Sequence, residues 1–373
     1  MRNLAICGSQ VKALQPDNRS ITTTEIDGVE VTAGVIITRE PTFNAQAQEN
    51  RLNLLVRIKG FSCNYRDLNM IFAAVKKGVP NSFFVVGSDL TGEVIEIGEG
   101  VTRFKVGDRV ISDNHYTGLE APGVREGVLT NQASKEYQIF PEDGLAKIPD
   151  EMPDEVAAAF SIGAQTAYSM LRKLELRPGS TILVTAAKSN TSLFAIQALR
   201  KHEVQVYATS TSRCFESELL ALGVRELIQI DPSERSFLTN EQMLRIISEH
   251  GRFAYVFDPF FDLHLHKSLE VMAHSGKYIT CGFLDQYKKG IGTEILNQGP
   301  GVHQTMFAIM SRNLQVLGNC SGTTADLHQA IEDYQRGTFR VSIDSVFSDD
   351  EAAEFLQQTY SKDRFGKVVF LYR

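Results

Sequence analysis

From residue 181 onward, short apolar and β-branched runs alternate with helical stretches, and this alternation limits the possible folds more than any other feature of the chain. Residues 181–185 read as a first strand, followed by a small-residue loop and a helix over 193–201. Residues 204–209 read as a second strand with a helix over 215–222 after it, and further strands are expected at 227–230, 255–258, 277–281 and 314–317. Strands separated by crossover helices pair in parallel, so this part of the chain is expected to form a parallel sheet covered by helices. Residues 366–371 form another strand pattern, expected to return to the first domain.

The first 150 residues have a different, β-rich texture. Runs at 29–37 and 52–58 carry β-branched residues in partial alternation, punctuated by Pro16-Asp17-Asn18, Asp27-Gly28 and Gly98-Glu99-Gly100. The texture changes near Pro149 and Pro153, where Asp154 is placed to cap a helix carrying Val156, Ala157, Ala159 and Phe160. A second helical stretch covers 166–174. At 373 residues two domains are expected: residues 1–153, completed by about 321–373, and residues 154–320.

Composition narrows the function. A formal net charge of -7 argues against a nucleic-acid partner, which calls for a clustered basic face. No apolar run approaches the roughly 18 residues that suggest a membrane span, and the start has too short an apolar stretch for a secretory signal. The cysteines Cys7, Cys63, Cys214, Cys281 and Cys320 form no CxxC pair. Five thiols in a reducing cytoplasm are therefore expected, not a disulfide framework or a thiolate zinc cluster.

Several segments carry a family resemblance through their shared order. Gly60-Phe61-Ser62-Cys63-Asn64-Tyr65-Arg66-Asp67 is similar to the enoyl-reductase stretch G-x-N-[FY]-R-D. Gly87-Ser88-Asp89 with Gly92 and Gly98, followed by Gly107-Asp108-Arg109-Val110, matches G-x-[DE]-x-x-G-x-V-x-x-x-G and G-D-R-V. Gln165-Thr166-Ala167-Tyr168, Gly276-Lys277, Gly282 and Asn313-Leu314 with Gly318 continue it. Together they resemble the medium-chain dehydrogenase/reductase superfamily, in the branch of quinone oxidoreductases and polyketide enoyl reductases. The resemblance implies a GroES-like β-barrel substrate domain plus a Rossmann doubly wound, parallel-sheet dinucleotide-binding domain. It also implies an oxidoreductase that commonly works as a homodimer, with residues 290–303 expected to cover the substrate cleft or to form the dimer edge.

Zinc-dependent relatives place a Cys ligand three residues before Asp67 and a His-Glu pair directly after Gly87. Here Asn64, Ser88 and Asp89 hold those positions. Asn and Ser are poor ligands for a catalytic zinc, so no metal is expected. Without a Lewis acid, reduction of an activated C=C bond remains feasible, needing a placed hydride donor and a proton source. The resemblance puts Tyr65 beside the nicotinamide, either as proton donor or as a half-buried ring lining the pocket. Asn64 is expected to orient substrate or nicotinamide, and Arg66 with Asp67 to form a structural pair. His115, in the loop Asn114 to Tyr116, reads as a surface or packing residue.

The cofactor loop departs from its relatives, which carry G-A-x-G-G-V-G after the first Rossmann strand. Here the residues are Ala186-Ala187-Lys188-Ser189-Asn190-Thr191-Ser192, with every glycine replaced. In one reading Lys188, Ser189, Asn190 and Thr191 bind the phosphates; in the other the loop is closed and cofactor affinity is lost. After the second strand, Ser210, Ser212 and Arg213 stand where NAD-preferring folds carry an acid, which points to the 2′-phosphate of NADP(H). Thr166, Gly282 and Phe283 resemble positions near the nicotinamide. Asp258-Pro259-Phe260-Phe261 replaces the family's D-x-x-G-G and makes that crevice bulkier.

The expected function is NADPH-dependent, zinc-independent reduction of an enone, quinone or enoyl thioester, on a free or thioester-bound substrate. The glycine-free loop keeps two alternatives open: a non-redox cyclisation, isomerisation or addition, and a cofactor-free scaffold on the same fold.

Overall fold

The computed structural model describes residues 1–14, 21–116, 127–284 and 301–373; the turn at 16–18 and most of the segment 290–303 lie outside them. Nine strands come first: β1 (Arg2–Cys7), β2 (Thr22–Ile26), β3 (Val29–Ile37), β4 (Asn53–Ser62), β5 (Phe83–Val85), β6 (Asp89–Ile97), β7 (Arg109–Ser112), β8 (Tyr137–Pro141) and β9 (Leu145–Lys147). Six follow: β10 (Thr181–Val184), β11 (Gln205–Ser210), β12 (Glu226–Gln229), β13 (Phe253–Asp258), β14 (Met272–Thr280) and β15 (Gln315–Gly318). The last two are β16 (Ile343–Ser348) and β17 (Lys367–Leu371).

The chain forms two units, one of Met1–Ile162, Thr323–Ile331 and Val341–Arg373, the other of Gly163–Gly322 and Glu332–Arg340. The first holds a four-stranded sheet, β2-β3-β1-β5, and a seven-stranded sheet, β16-β17-β4-β6-β7-β9, in which β8 also pairs with β4. The C-terminal strand does return: Phe370 of β17 lies opposite Phe61 of β4. Both rings are fully buried with Phe355, at centroid separations of 5.3 to 5.5 Å. Burying each such ring stabilises the unit by roughly 1.5–3 kcal/mol. The chain enters β17 through Gly366, at φ 93°, where a Cβ would meet the Ser342 carbonyl oxygen at 2.2 Å. Only glycine fits there.

The second unit is an all-parallel sheet of order β12-β11-β10-β13-β14-β15. The order reverses between β10 and β13, and ligands of such sheets bind outside the carboxyl ends of the strands at that switch point. β10, covered on both faces, is a nearly continuous apolar run, Thr-Ile-Leu-Val, because a central parallel strand has no solvent face to alternate toward. Leu183, Tyr207, Val256 and Tyr278 bring four strands into one core.

Local boundaries differ from the expectations in physically readable ways. Asp154 is the first residue of a single helical turn, Asp154–Ala157, instead of its cap; Pro153 holds the cap position and the Asp154 carboxylate accepts from Arg109 at 2.5 Å. The following helix begins at Ser161, not 166, and runs to Leu174. No helix among the described residues is long and apolar enough to cross a membrane.

Candidate active site

In the first unit, β4 ends at Ser62 and the Tyr65–Lys77 helix starts with Asn64 as its N-cap in extended geometry. The Asn64 backbone N–H donates to Asp67 Oδ2 at 2.6 Å, which satisfies one of the helix's open donors. The Asn64 side chain is engaged at both ends. Its Nδ2 donates to Ser88 Oγ at 3.0 Å and to Asp89 Oδ2 at 2.9 Å, while its Oδ1 accepts from Lys367 Nζ at 2.5 Å. Tyr360 donates to the Asn64 backbone carbonyl at 3.3 Å.

The same network runs deeper. Ser88 Oγ donates to Asp67 Oδ2 at 2.6 Å, and Lys367 Nζ also reaches Asp89 Oδ2 at 3.3 Å. Asp89 Oδ1 accepts from Ser161 Oγ at 2.8 Å and from the Ile162 N–H at 2.7 Å. Ser161 meets Ser112 at 2.7 Å, and Asn114 donates to both hydroxyls at 3.1 and 3.2 Å. Asp67, Ser88, Asp89, Ser112, Asn114 and Ser161 are fully buried. Burial pushes the Asp67 carboxyl up against the pull of Arg66, Ser88 and Asn64, and burial pushes the Lys367 ammonium down against the pull of Asp89.

This donor set does not fit a zinc ion. A catalytic zinc takes about three N, S or O side-chain ligands and keeps a fourth position open. Here Asn64, Ser88 and Asp89 are bonded to one another, and a lysine ammonium lies among them. Among the described residues, no group of three or more His, Cys, Asp or Glu is arranged to hold a metal.

Tyr65, the next residue after Asn64, is half-buried, its ring 6.2 Å from that of Tyr360 and 5.8 Å from the Arg364 guanidinium. Arg66 lies 3.6 Å from Asp67 and donates to Asn131 at 2.7 Å. His115 has its Nδ1 3.8 Å from Asp113 Oδ1, and Asp113 accepts from Thr324 at 2.6 Å.

In the second unit, the glycine-free loop leaves β10 with Ala186 in the left-handed region at φ 46°. An alanine held there costs about 1 kcal/mol. Ser189 caps the Asn190–Leu199 helix, accepting from the Ser192 N–H at 3.2 Å and donating to Ser192 Oγ at 2.9 Å. Ser192 in turn donates to the Thr185 carbonyl at 2.9 Å, so these two hydroxyls bond within the loop. Asn190 is buried against Gly163, where a Cβ would lie 2.5 Å from its Nδ2. Thr191 is partly exposed at the first turn, and Thr166 is buried in the Ser161–Leu174 helix.

Lys188 leaves this loop toward the end of β11. Its Nζ is 3.4 Å from Ser212 Oγ and 5.8 Å from the Phe215 ring centroid. Ser210 Oγ accepts from the Ser212 N–H at 3.3 Å. Arg213 is turned to Glu216 and to Gln242, the latter at 3.0 Å. The cation next to Ser212 is therefore Lys188. Gly282 accepts from the Phe261 N–H at 3.0 Å, and Phe283 packs on Phe261 at 5.6 Å.

Two groups were not singled out by sequence reasoning. Lys367 carried no signal beyond the Gly-Lys pair that opens a strand. In the sequence Asp258 stands out only as part of a bulkier crevice. Its buried carboxylate accepts from Thr185 at 2.6 Å, from Tyr278 at 2.5 Å and from the Phe260 N–H at 2.9 Å, and it contacts His264 Nδ1 at 3.0 Å. Burial pushes this carboxyl up, but His264, Thr185 and Tyr278 together hold it below the usual carboxylate range. It ties the ends of β10, β13 and β14 together at the switch point.

Comparison with known proteins agrees with this architecture. Residues 50–150 match the alcohol dehydrogenase GroES-like domain, and residues 222–370 match the zinc-binding dehydrogenase family. An acryloyl-coenzyme A reductase of Metallosphaera sedula is 24% identical over 334 residues, covering 85% of this chain and 91% of that protein. A quinone oxidoreductase of Pseudomonas aeruginosa is 28% identical over 300 residues, covering 79% and 83%. The crystal structure of an NAD-dependent alcohol dehydrogenase superposes with a TM-score of 0.75 at 22% identity, covering 100% of this chain and 99% of that one. With a GroES-like unit, a parallel Rossmann sheet and these relatives, the chain belongs to the medium-chain dehydrogenase/reductase superfamily of oxidoreductases.

Proposed function

We propose that the protein is an NADPH-dependent, zinc-independent reductase of an activated C=C bond in an enone, quinone or enoyl thioester. The observation that carries the reading is the environment of Lys188. At the carboxyl end of β11, where an acid would select the free ribose hydroxyl, an ammonium stands instead beside Ser212, whose N–H donates to Ser210 Oγ. Such a site suits a phosphate dianion. The first turn of the Asn190–Leu199 helix and the ends of β10, β13 and β14 would hold the rest of a dinucleotide, with Thr166, Gly282 and Phe283 the residues that would line its nicotinamide end.

When bound, NADPH supplies a hydride to the carbon β to the acceptor's carbonyl. Tyr65 delivers the proton that completes the reduction, to the α-carbon or the enolate oxygen. Asn64 holds the helix start that presents Tyr65; its own amide is occupied by Lys367, Ser88 and Asp89.

Fluorescence titration with NADPH and NADH tests the cofactor assignment, and the absence of tryptophan keeps the protein background low. Micromolar NADPH binding, weak NADH binding and turnover of enones or enoyl thioesters are expected. One observation favours a second, non-redox reading: Ser189 and Ser192 fill the loop that glycine leaves open in relatives. Failure to bind either cofactor would make that reading the better one.

We also propose a homodimer. The Val302–Ser311 helix exposes Val302, Met306, Phe307 and Met310, with Phe307 72% exposed, and β15 pairs only with β14 among the described strands. Sedimentation should give a dimer that Phe307→Glu converts to monomer. A cytoplasmic location agrees with five free thiols.

A further inference from the structure

We infer that Lys367 is an internal cation that organises this centre in place of a metal, acting as the positioning residue that holds the first turn of the Tyr65–Lys77 helix, and with it Tyr65. Three observations carry the inference. Lysine is almost never fully buried without a partner, yet Lys367 is 3% exposed. Its ammonium contacts Asn64 and Asp89, two of the residues at the zinc-ligand positions of metal-dependent relatives, and the third, Ser88, is bonded to Asn64. Among the described residues, no other lysine or arginine lies within ion-pairing distance of Asp89, and Arg66, the cation beside Asp67, is partly exposed.

The charge fixes a direction. An asparagine amide can be turned either way round, and its neighbours decide which. With an ammonium on one side, Asn64 must turn its oxygen toward Lys367 and its two N–H groups toward Ser88 and Asp89. Asn64 is then gripped through its side chain, its N–H by Asp67 and its carbonyl by Tyr360. The following residue is Tyr65. A ligated metal would tie the same three side chains together from outside the chain; here the tie arrives on β17.

The kinetic consequence rests on the reductase reading, and the structural consequence does not. The test therefore uses two measurements on Lys367→Met, with Lys367→Gln, which keeps donors without the charge, as the second variant should the first fail to fold. Hydrogen–deuterium exchange of residues 64–70 should accelerate roughly tenfold or more, with exchange in the Rossmann unit unchanged. Turnover of an enone should fall roughly 10- to 100-fold in kcat, with the NADPH Kd held within about twofold. Unchanged exchange in a folded variant overturns the inference, and so does accelerated exchange with intact turnover. If the wild-type protein reduces nothing, the reductase reading fails and the exchange result alone decides the positioning role.

Discussion

Two helix starts, one in each unit, meet the same need by different means. Both the Tyr65–Lys77 and the Asn190–Leu199 helices follow a strand, and both must satisfy free backbone donors beside a candidate ligand site. The second start is held from within: Ser189, Ser192 and the Thr185 carbonyl bond to each other over seven residues or fewer. The first has one such local bond, from the Asn64 N–H to Asp67. Its Asn64 side chain, however, is held from far away, by Ser88 and Asp89 and by Lys367, which is 303 residues from Asn64 in the chain. A locally held turn can be altered by one substitution with a small effect. A start held by distant charges couples the site to the integrity of a whole unit.

The sharpest way to break that contrast is Lys367→Met. Removing one partner of a buried ion pair leaves Asp89 uncompensated, so a loss of about 3–5 kcal/mol in urea unfolding is expected. Next in size, Tyr65→Phe should lower kcat by about 100-fold or more, the range for loss of a general acid, with NADPH affinity unchanged in a fluorescence titration. Lys188→Ala should weaken NADPH binding by about 1.5–3 kcal/mol, the range for a charged hydrogen bond, while NADH binding stays the same. In the locally held loop, Ala186→Gly should relieve the left-handed alanine and raise stability by less than about 1 kcal/mol, read as a small upward shift in Tm.

Acid gives the last and smallest comparison. The Asp258 carboxyl is held below its usual range, so its stabilising contribution is present above the unfolded pKa of about 3.9 and is lost as pH falls through the folded value. The stability difference between wild type and Asp258→Asn should therefore narrow below that pH. A gap independent of pH would show that packing, not the charge, is what the substitution removes. Asp67 runs the other way: burial raises its folded pKa, so its charged form costs stability at neutral pH and protonation relieves that cost.

How much of this was legible in the sequence follows the same division. The alternation after residue 181 showed the parallel sheet because β10 to β13 each carry their own apolar signal. The helix after β10 begins at Asn190, three residues before the expected 193, because Ser189 caps it, and a serine cap can be read locally. β14 begins at Met272, well before the expected 277, because it is defined by pairing with β13 across a register shift. At the site, Asn64, Ser88 and Asp89 were visible as departures from a zinc pattern. That they bond to each other was not. Lys367 in a strand reads as a solvent-facing residue until the position of Asp89 is known, and no local pattern contains that information. Arg213 was singled out by its place after two serines, yet Glu216 and Gln242 claim its guanidinium and Lys188 takes the position beside Ser212.

The return of β17 to β4 also orders events during synthesis. Phe61 is made before Phe355 and Phe370, the rings it packs against, which are added only after the whole of the Rossmann unit. The six strands of the Rossmann sheet are all made before that point. Domains usually fold in the order they are synthesised, and pairings between distant segments form slowly. Here the later sheet is free to fold first, while the earlier one, with β4 already able to pair with β6 and β8, waits with its Gly60–Phe61 edge open and an aromatic ring uncovered. The protein should depend on holding chaperones for that interval, and ribosome-bound nascent chains stalled before residue 367 should be protease-sensitive around Gly60 and Phe61.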